Sequence, residues 1–361
     1  MPPSKTYKFA FDQTVELGEL HLVAQSVTGL ITIRKILIAS IRLFATAGLL
    51  WALATRVDFG RAVEIMGQAS LPLLAATLVA LLTATFFVSL RWHLILSAEV
   101  PSPGVGTLLK IVFVGLFFNQ VLPTGVGGDA VRAWRCRKLG IGLGAAIRSI
   151  LLDRACGYLV LVVVYAASLP SLLDILPEVR QRGGVVAVLG AALLGVLAFL
   201  FLDRLPRAIL RLRVIAPLAK LSRESRRLFT HPRRCGTVLG LSTLTIGLTI
   251  LAFKLVANSV GSRLPLADWI MIVPPVTLIQ LLPVSLAGWG VREVVLVVAL
   301  ASFGVPAETA LAMSVLLGLC LIVIGVPGGL IWLIDWDIAR PDQSLPYPAR
   351  PQVGFKEAEP D

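Results

Sequence analysis

The chain has 361 residues, of which 57% are hydrophobic and only 15% charged, with a formal net charge of +12. Soluble domains carry about a quarter charged residues, and here the apolar residues gather in blocks long enough to cross a bilayer. A soluble enzyme is therefore excluded. The positive charge belongs beside membrane segments, facing anionic lipid, and not on a nucleic-acid-binding surface, because no nucleic-acid module or stacking aromatic pattern accompanies it.

In chain order, residues 1–34 form an N-terminal tail of mixed polarity with no cleavable leader pattern. A hydrophobic region, 35–335, follows, with spans expected near 36–55, 70–96, 150–170, 183–202, 237–257 and 308–334. Each can supply the roughly 20 apolar residues that about 30 Å of hydrocarbon requires. Two further apolar segments, 105–122 and 269–282, each run into a Gly/Pro-rich break and then a charge. They read as broken or re-entrant helices. A Pro-rich tail, 336–361, ends the chain. The expected fold is an all-α polytopic integral membrane protein: about six transmembrane helices plus two broken or re-entrant helices related as an inverted repeat.

Charge sets the expected orientation. Segment 203–236 holds ten Lys/Arg against two acids, and 131–148 holds five Lys/Arg and no acid. Both are expected on the cytoplasmic side of the cell membrane, together with both chain termini. The nearly balanced segments 171–182 and 258–268 then face outward. This is consistent only if 105–122 enters and leaves on the cytoplasmic side and 269–304 does so on the outer side.

Cys136, Cys156, Cys235 and Cys320 form no CxxC pair, and His21, His93 and His231 are scattered. Two of the cysteines fall in apolar spans and two in basic loops. Neither a disulfide nor a metal site is expected, and no cofactor is implied.

The two breaks share a pattern. Residues 119–132 read NQVLPTGVGGDAVR and 280–293 read QLLPVSLAGWGVRE. At an offset of 160, six positions are identical and give QxLPx4GxxVR. Pro removes a backbone donor and Gly permits conformations closed to other residues. Inside a membrane the backbone groups freed in this way must be satisfied by protein, water or ligand. Paired Gly/Pro-interrupted segments in two halves of a membrane protein therefore point to a binding site. The candidate substrate-binding residues are Asn119, Gln120, Pro123, Gly127, Gly128, Asp129 and Arg132 in the first copy. In the second they are Gln280, Pro283, Gly288, Gly290, Arg292 and Glu293. Each arginine offers a fork of donors to a phosphate, and Asp129 and Glu293 stand close enough in sequence to pair with them. The plain alternative is that Arg132 and Arg292 anchor their helices at the interface. Asp153-Arg154 is a third charged spot, expected at the start of a span, where a helix dipole alone would favour the aspartate.

FNQVLPTGVGGDAVR (118–132), DRACG (153–157) and LLPVSLAGWGVRE (281–293) together resemble the flippase-like, lysylphosphatidylglycerol synthase transmembrane family, over roughly 36–335. That family usually has Glu-Arg where this chain has Asp153-Arg154. The resemblance implies movement of a lipid between leaflets: a phospholipid, glycolipid or isoprenoid lipid in an envelope-lipid pathway. The expected partners are a membrane lipid with an anionic headgroup and, through the basic segment, enzymes of that pathway. The two broken segments would shield the headgroup in a polar cavity while the acyl chains stay in lipid. Arg132 and Arg292 would contact phosphate; Asn119, Gln120 and Gln280 would add neutral hydrogen bonds. Asp129 and Glu293 would hold the arginines or move a proton.

Aminoacyl transfer is not expected, since no internal polar stretch is long enough for a synthase domain. Two other functions compete with lipid movement. A membrane-embedded transferase acting on a polyprenyl-linked or hopanoid lipid would need a base and a metal-binding acid pair. Asp129, Asp153 and Glu293 are the only acids placed for that, and none forms a DxD-like pair. A non-catalytic subunit of a lipid pathway would use the basic segment 203–236 as its docking surface.

Overall fold

The computed structural model describes residues 47–48, 51, 55, 57–122, 127–176, 178–201, 204, 232–280 and 290–334. Every regular element among them is a helix: α1 Phe59–Gly67, α2 Leu71–Leu96, α3 Val105–Val121, α4 Gly127–Lys138, α5 Leu143–Ile175, α6 Val179–Phe201, α7 Pro232–Ser259, α8 Leu266–Ile279, α9 Val291–Ala301 and α10 Ala307–Ile334. Five helices are long and apolar enough to cross a membrane: α2, α5, α6, α7 and α10. They match five of the six expected spans. The expected first span, 36–55, lies largely outside the described residues. So do both tails and most of the basic segment 203–236, of which 204 and 232–236 are described.

The hydroxyl side chains within these apolar helices are satisfied without leaving them. Thr77, Thr85, Ser89, Ser242, Thr245 and Thr249 each donate to the carbonyl four residues earlier. That local bond removes the cost of a polar group facing hydrocarbon.

The two broken segments each form a short helix, a break and a second short helix packed on the first. Helices α3 and α8, of 17 and 14 residues, rise about 25 and 21 Å, short of a full crossing. Helix α4 returns alongside α3. Its first residues lie against Gly115 and Asn119 near the far end of α3. Its Ala133 and Cys136 share a buried cluster with Leu108, Ile111 and Val112 near the start of α3. Segment 127–138 is thus a packed helix and not the exposed basic loop that its charges suggested, because three of its basic side chains stack on aromatic rings supplied by α2, α10 and α4 itself. Helices α8 and α9 pair in the same fashion around Trp269, Ile272, Val273, Val276, Leu296 and Leu300.

The two units attach to opposite ends of α2. The α3–α4 unit packs with Trp92 and Leu96 at the C-terminal end of α2, and with Ile141 and Ala145 at the start of α5. The α8–α9 unit packs with Leu74 at the other end of α2, and with Val256 and Ala257 at the end of α7. There the Ser70 amide also donates to the Ser259 carbonyl at 2.9 Å. This is the inverted relation that the charge pattern required.

Helix α10 ties the two units together. Near its start it packs on α9, and near its end on α3. The contact with α3 is backbone to backbone: a methyl on Gly328 would overlap the Phe113 carbonyl, and one on Gly329 would meet the Phe117 ring. Small residues let membrane helices approach this closely, and dispersion then acts over the whole seam. Gly328→Ala is therefore expected to lower stability by about 1–3 kcal/mol, as overpacking does elsewhere. Gly240→Ala, with nothing within 4 Å of the added methyl, should be neutral within about 0.5 kcal/mol. Equilibrium unfolding of the two purified variants in mixed micelles compares them.

Candidate functional site

The start of α4 is fixed by two glycines and an asparagine. Asn119 Oδ1 accepts a hydrogen bond from the Gly128 amide at 2.9 Å, closing the tip of the unit. A side chain on Gly128 would overlap the Gly115 carbonyl and the Asn119 side chain. A Cβ on Gly115 would in turn stand 3.0 Å from the Arg132 Cγ and Cδ atoms. Glycine at 115 and 128 thus sets how deeply α4 sits, and so where Asp129 and Arg132 point.

They point into a charged network built from four helices. Arg91 of α2 donates from Nε to Asp153 Oδ1 of α5 at 2.7 Å, and from NH1 to Ser242 Oγ of α7 at 2.9 Å. Arg132 donates from NH1 to Asp129 Oδ1 at 3.1 Å, and its NH2 stands 3.7 Å from Asp153 Oδ2. Its guanidinium lies 4.1 Å from the centre of the Trp92 ring, and Trp92 is held by a hydrogen bond from Nε1 to Ser149 Oγ at 3.1 Å. Arg154 grips Asp129 with a two-pronged contact: Nε to Oδ2 and NH2 to Oδ1, both 3.1 Å. Three guanidiniums and two carboxylates leave one positive charge in excess.

Burial is uneven across the network. Asp153 is 1% exposed and Arg132 4%, whereas the Arg154 side chain is 40% exposed. One end is closed and the other open. Arg132 Nε and NH2 are buried and make no hydrogen bond among the described residues. Such orphaned donors are costly in a native core and require an explanation.

The second break carries its own network. Gly290 sits at φ +86°, a left-handed conformation that glycine adopts without strain. Its amide donates to Glu293 Oε2. Glu293 Oε1 accepts from Arg292 NH2 at 2.8 Å, Arg292 Nε at 3.2 Å and Ser314 Oγ of α10 at 3.1 Å. Arg292 Nε also donates to Ser314 Oγ at 3.1 Å. Glu293 is 1% exposed and both of its carboxylate oxygens are engaged.

The structure thus gives both motif arginines an acidic partner, although Asp129 lies three residues before its arginine and Glu293 one residue after. It puts the arginines in two separate networks at the two breaks. Gly127 is buried at the start of α4, and Gln120 is half-buried at the end of α3. Gln280 caps α8, and its Nε2 is buried without a hydrogen-bond partner among the described residues. Pro123, Pro283 and Gly288 lie outside the described residues. Asp153 and Arg154 are not at a helix start: α5 begins at Leu143, about 15 Å earlier along its axis. Asp153 instead joins Arg91 to Arg132.

Sequence reasoning missed Arg91, Ser242, Ser314 and Trp92. Arg91 had a signal: an arginine inside a 26-residue apolar helix is expensive unless paired or wet, and so marks a site. The serines had none, since each is an ordinary hydroxyl until a neighbouring helix brings a charge to it.

A family model described as the lysylphosphatidylglycerol synthase TM region matches residues 34–329. The chain belongs to this family. No curated protein sequence matches it. The family match spans both networks, from Arg91 to Ser314, and both helix–break–helix units. It is a match to a membrane region of a lysylphosphatidylglycerol synthase.

Glu293 cannot lose its partner cheaply, because an uncompensated charge in a dry site costs far more than a paired one. Arg292→Met and Glu293→Gln are each expected to cost about 3–5 kcal/mol. The double variant should be more stable than the sum of the single losses by about 1–3 kcal/mol. Unfolding of the four proteins in one detergent system measures the coupling.

Proposed function

We propose that this protein moves a lipid with an anionic headgroup between the leaflets of the cell membrane. The observation that best supports the reading is Arg132. It is a buried guanidinium with two nitrogens that make no hydrogen bond among the described residues, in a network with one positive charge in excess, directly after an interrupted helix. Helix ends and interruptions inside a membrane are where substrates find fixed dipoles and free backbone groups. Family membership supports the same reading, since the family is a membrane region of a lipid-modifying synthase.

The physical task is to lower the barrier to carrying a charged headgroup across hydrocarbon, which is large for any uncompensated ion. Arg132 supplies a planar fork that matches two oxygens of a phosphate. Trp92 and Asp153 hold that fork from behind, so little side-chain freedom is lost when a headgroup arrives. Arg154, at the open end, is placed to meet the headgroup first. The acyl chains remain in the surrounding lipid. The basic segment 203–236 faces the cytoplasm in this reading, and the α3–α4 unit opens on that side.

Purified protein in vesicles carrying a fluorescent anionic phospholipid tests the proposal. Bleaching of the outer leaflet by an impermeant reductant should reach lipids of the inner leaflet faster than in protein-free vesicles. Arg132→Ala and Arg132→Lys should each slow this exchange at least about tenfold, because a point charge cannot replace a bidentate fork. Exchange no faster than in protein-free vesicles would refute the reading.

A further inference from the structure

We propose that Asp129 occupies the binding site of an external oxyanion, as an internal carboxylate that the ligand displaces. The inference rests on the lipid-moving reading for its biological role but on the geometry of one side chain for its substance. Asp129 accepts from Arg132 at one oxygen and from Arg154 at both. Two guanidiniums from different helices converging on one carboxylate are the arrangement in which proteins bind phosphates and carboxylates. Asp129 also lies in the first turn of the 12-residue α4, where the helix dipole favours a negative charge.

Three further observations separate this carboxylate from an ordinary structural partner. The Asp129–Arg154 contact is at the open end of the network, with side chains 18% and 40% exposed, while the Arg132 side chain behind it is 5% exposed. Asp129 can therefore swing out without unpacking the helix. The backbone beneath it is held independently, by the Asn119–Gly128 bond. Arg132 keeps Nε and NH2 buried and, among the described residues, without hydrogen bonds, with only the 3.7 Å ion pair from NH2 to Asp153, so the carboxylate leaves donors there that a tetrahedral oxyanion with more oxygens would engage.

The network at the second break behaves differently. Both oxygens of Glu293 are bound by its own helix start, by Arg292 and by Ser314, and its side chain is 2% exposed. It lacks the exposure that Asp129 has. Of the two copies of the motif, the first is the ligand site and the second a fixed clasp.

The ligand is an oxyanion of the phosphate class, either a lipid headgroup or a free phosphate. When it binds, Arg154 and Arg132 pass from Asp129 to the ligand, while Asp153 and Trp92 keep Arg132 in place. Asp129 acts as a selectivity gate: a ligand too weakly charged to displace it stays out.

The test titrates the full chain in detergent with inorganic phosphate in one arm and with short-chain phosphatidylglycerol in mixed micelles in the other, reading thermal stabilisation. Asp129→Asn removes the competing charge at nearly constant shape. It should tighten binding at least tenfold in whichever arm contains the ligand. Adding Arg154→Gln to that variant should abolish the gain. Equal or weaker binding by Asp129→Asn in both arms overturns the proposal, as does a gain that survives loss of Arg154.

A second measurement uses the unaltered protein and covers the case in which the variant does not fold. Carbodiimide labelling of Asp129, read by mass spectrometry, should rise on adding whichever of inorganic phosphate and short-chain phosphatidylglycerol stabilises the unaltered protein. Unchanged or reduced labelling overturns the proposal. Both readouts are made at equilibrium without vesicles. Failure of leaflet exchange with a tenfold gain in Asp129→Asn would sink the transport reading alone. Normal exchange without that gain would sink the displacement alone.

Discussion

Charge buried inside an apolar bundle constrains everything else in this molecule. Five helices present hydrocarbon-like surfaces long enough to cross a membrane, yet Arg91, Arg132, Asp153, Arg292 and Glu293 are all buried. Each would be costly alone. The fold answers by bringing acids and hydroxyls from separate helices to them, and the geometry of the two helix–break–helix units follows from that requirement. Helix α4 is short and polar and would have no reason to enter the bundle without Asp153 and Trp92 to receive Arg132. Helix α9 is fixed at its first turn by Glu293, which binds the Gly290 amide behind it and Ser314 of α10 across from it.

The close seams serve the same end. Glycine at 115 and 128 brings α4 against α3, and glycine at 325, 328 and 329 brings α10 against α3. Because α10 also supplies Ser314 to the second network, one helix touches both units. Buried salt bridges contribute little net stability compared with well-packed apolar residues. Stability alone does not account for the charges kept inside; the proposed lipid handling would.

Much of this was legible in the sequence, and the limits are physical. The apolar blocks and their flanking charges gave the spans, because crossing length and loop charge are both local properties. The repeated QxLPx4GxxVR pattern located the two breaks, since Pro and Gly mark backbone interruptions wherever they occur. The charge balance also required the two units to be inverted, and their attachment to opposite ends of α2 agrees. Residue-level roles were harder. RAWRCRK reads as a solvated basic loop in one dimension, and only the rings of Trp92 and Trp332 turn it into a packed helix. Asp153 reads as the start of a span because the basic segment 131–148 lies just before it, but α5 begins earlier and Asp153 becomes the link between two arginines. Ser242 and Ser314 are recruited by tertiary contact, for which the sequence holds no local sign.

The central claim is that the buried charges are kept for lipid handling and not for folding. The Arg91–Asp153 pair separates the two most directly, since it lies behind Arg132 at the closed end. The measurement is stability and leaflet exchange, side by side, for Arg91→Met, Asp153→Leu and the double variant. The single variants should be destabilised by about 3–5 kcal/mol and the double variant should recover part of that loss, because apolar groups of similar volume can replace a buried pair, while Arg132 keeps Asp129 as its remaining partner. The account predicts that the recovered double variant folds but exchanges lipid at least about tenfold more slowly than the unaltered protein, having lost the support that positions Arg132. A double variant that is stable and exchanges lipid at the full rate would contradict it.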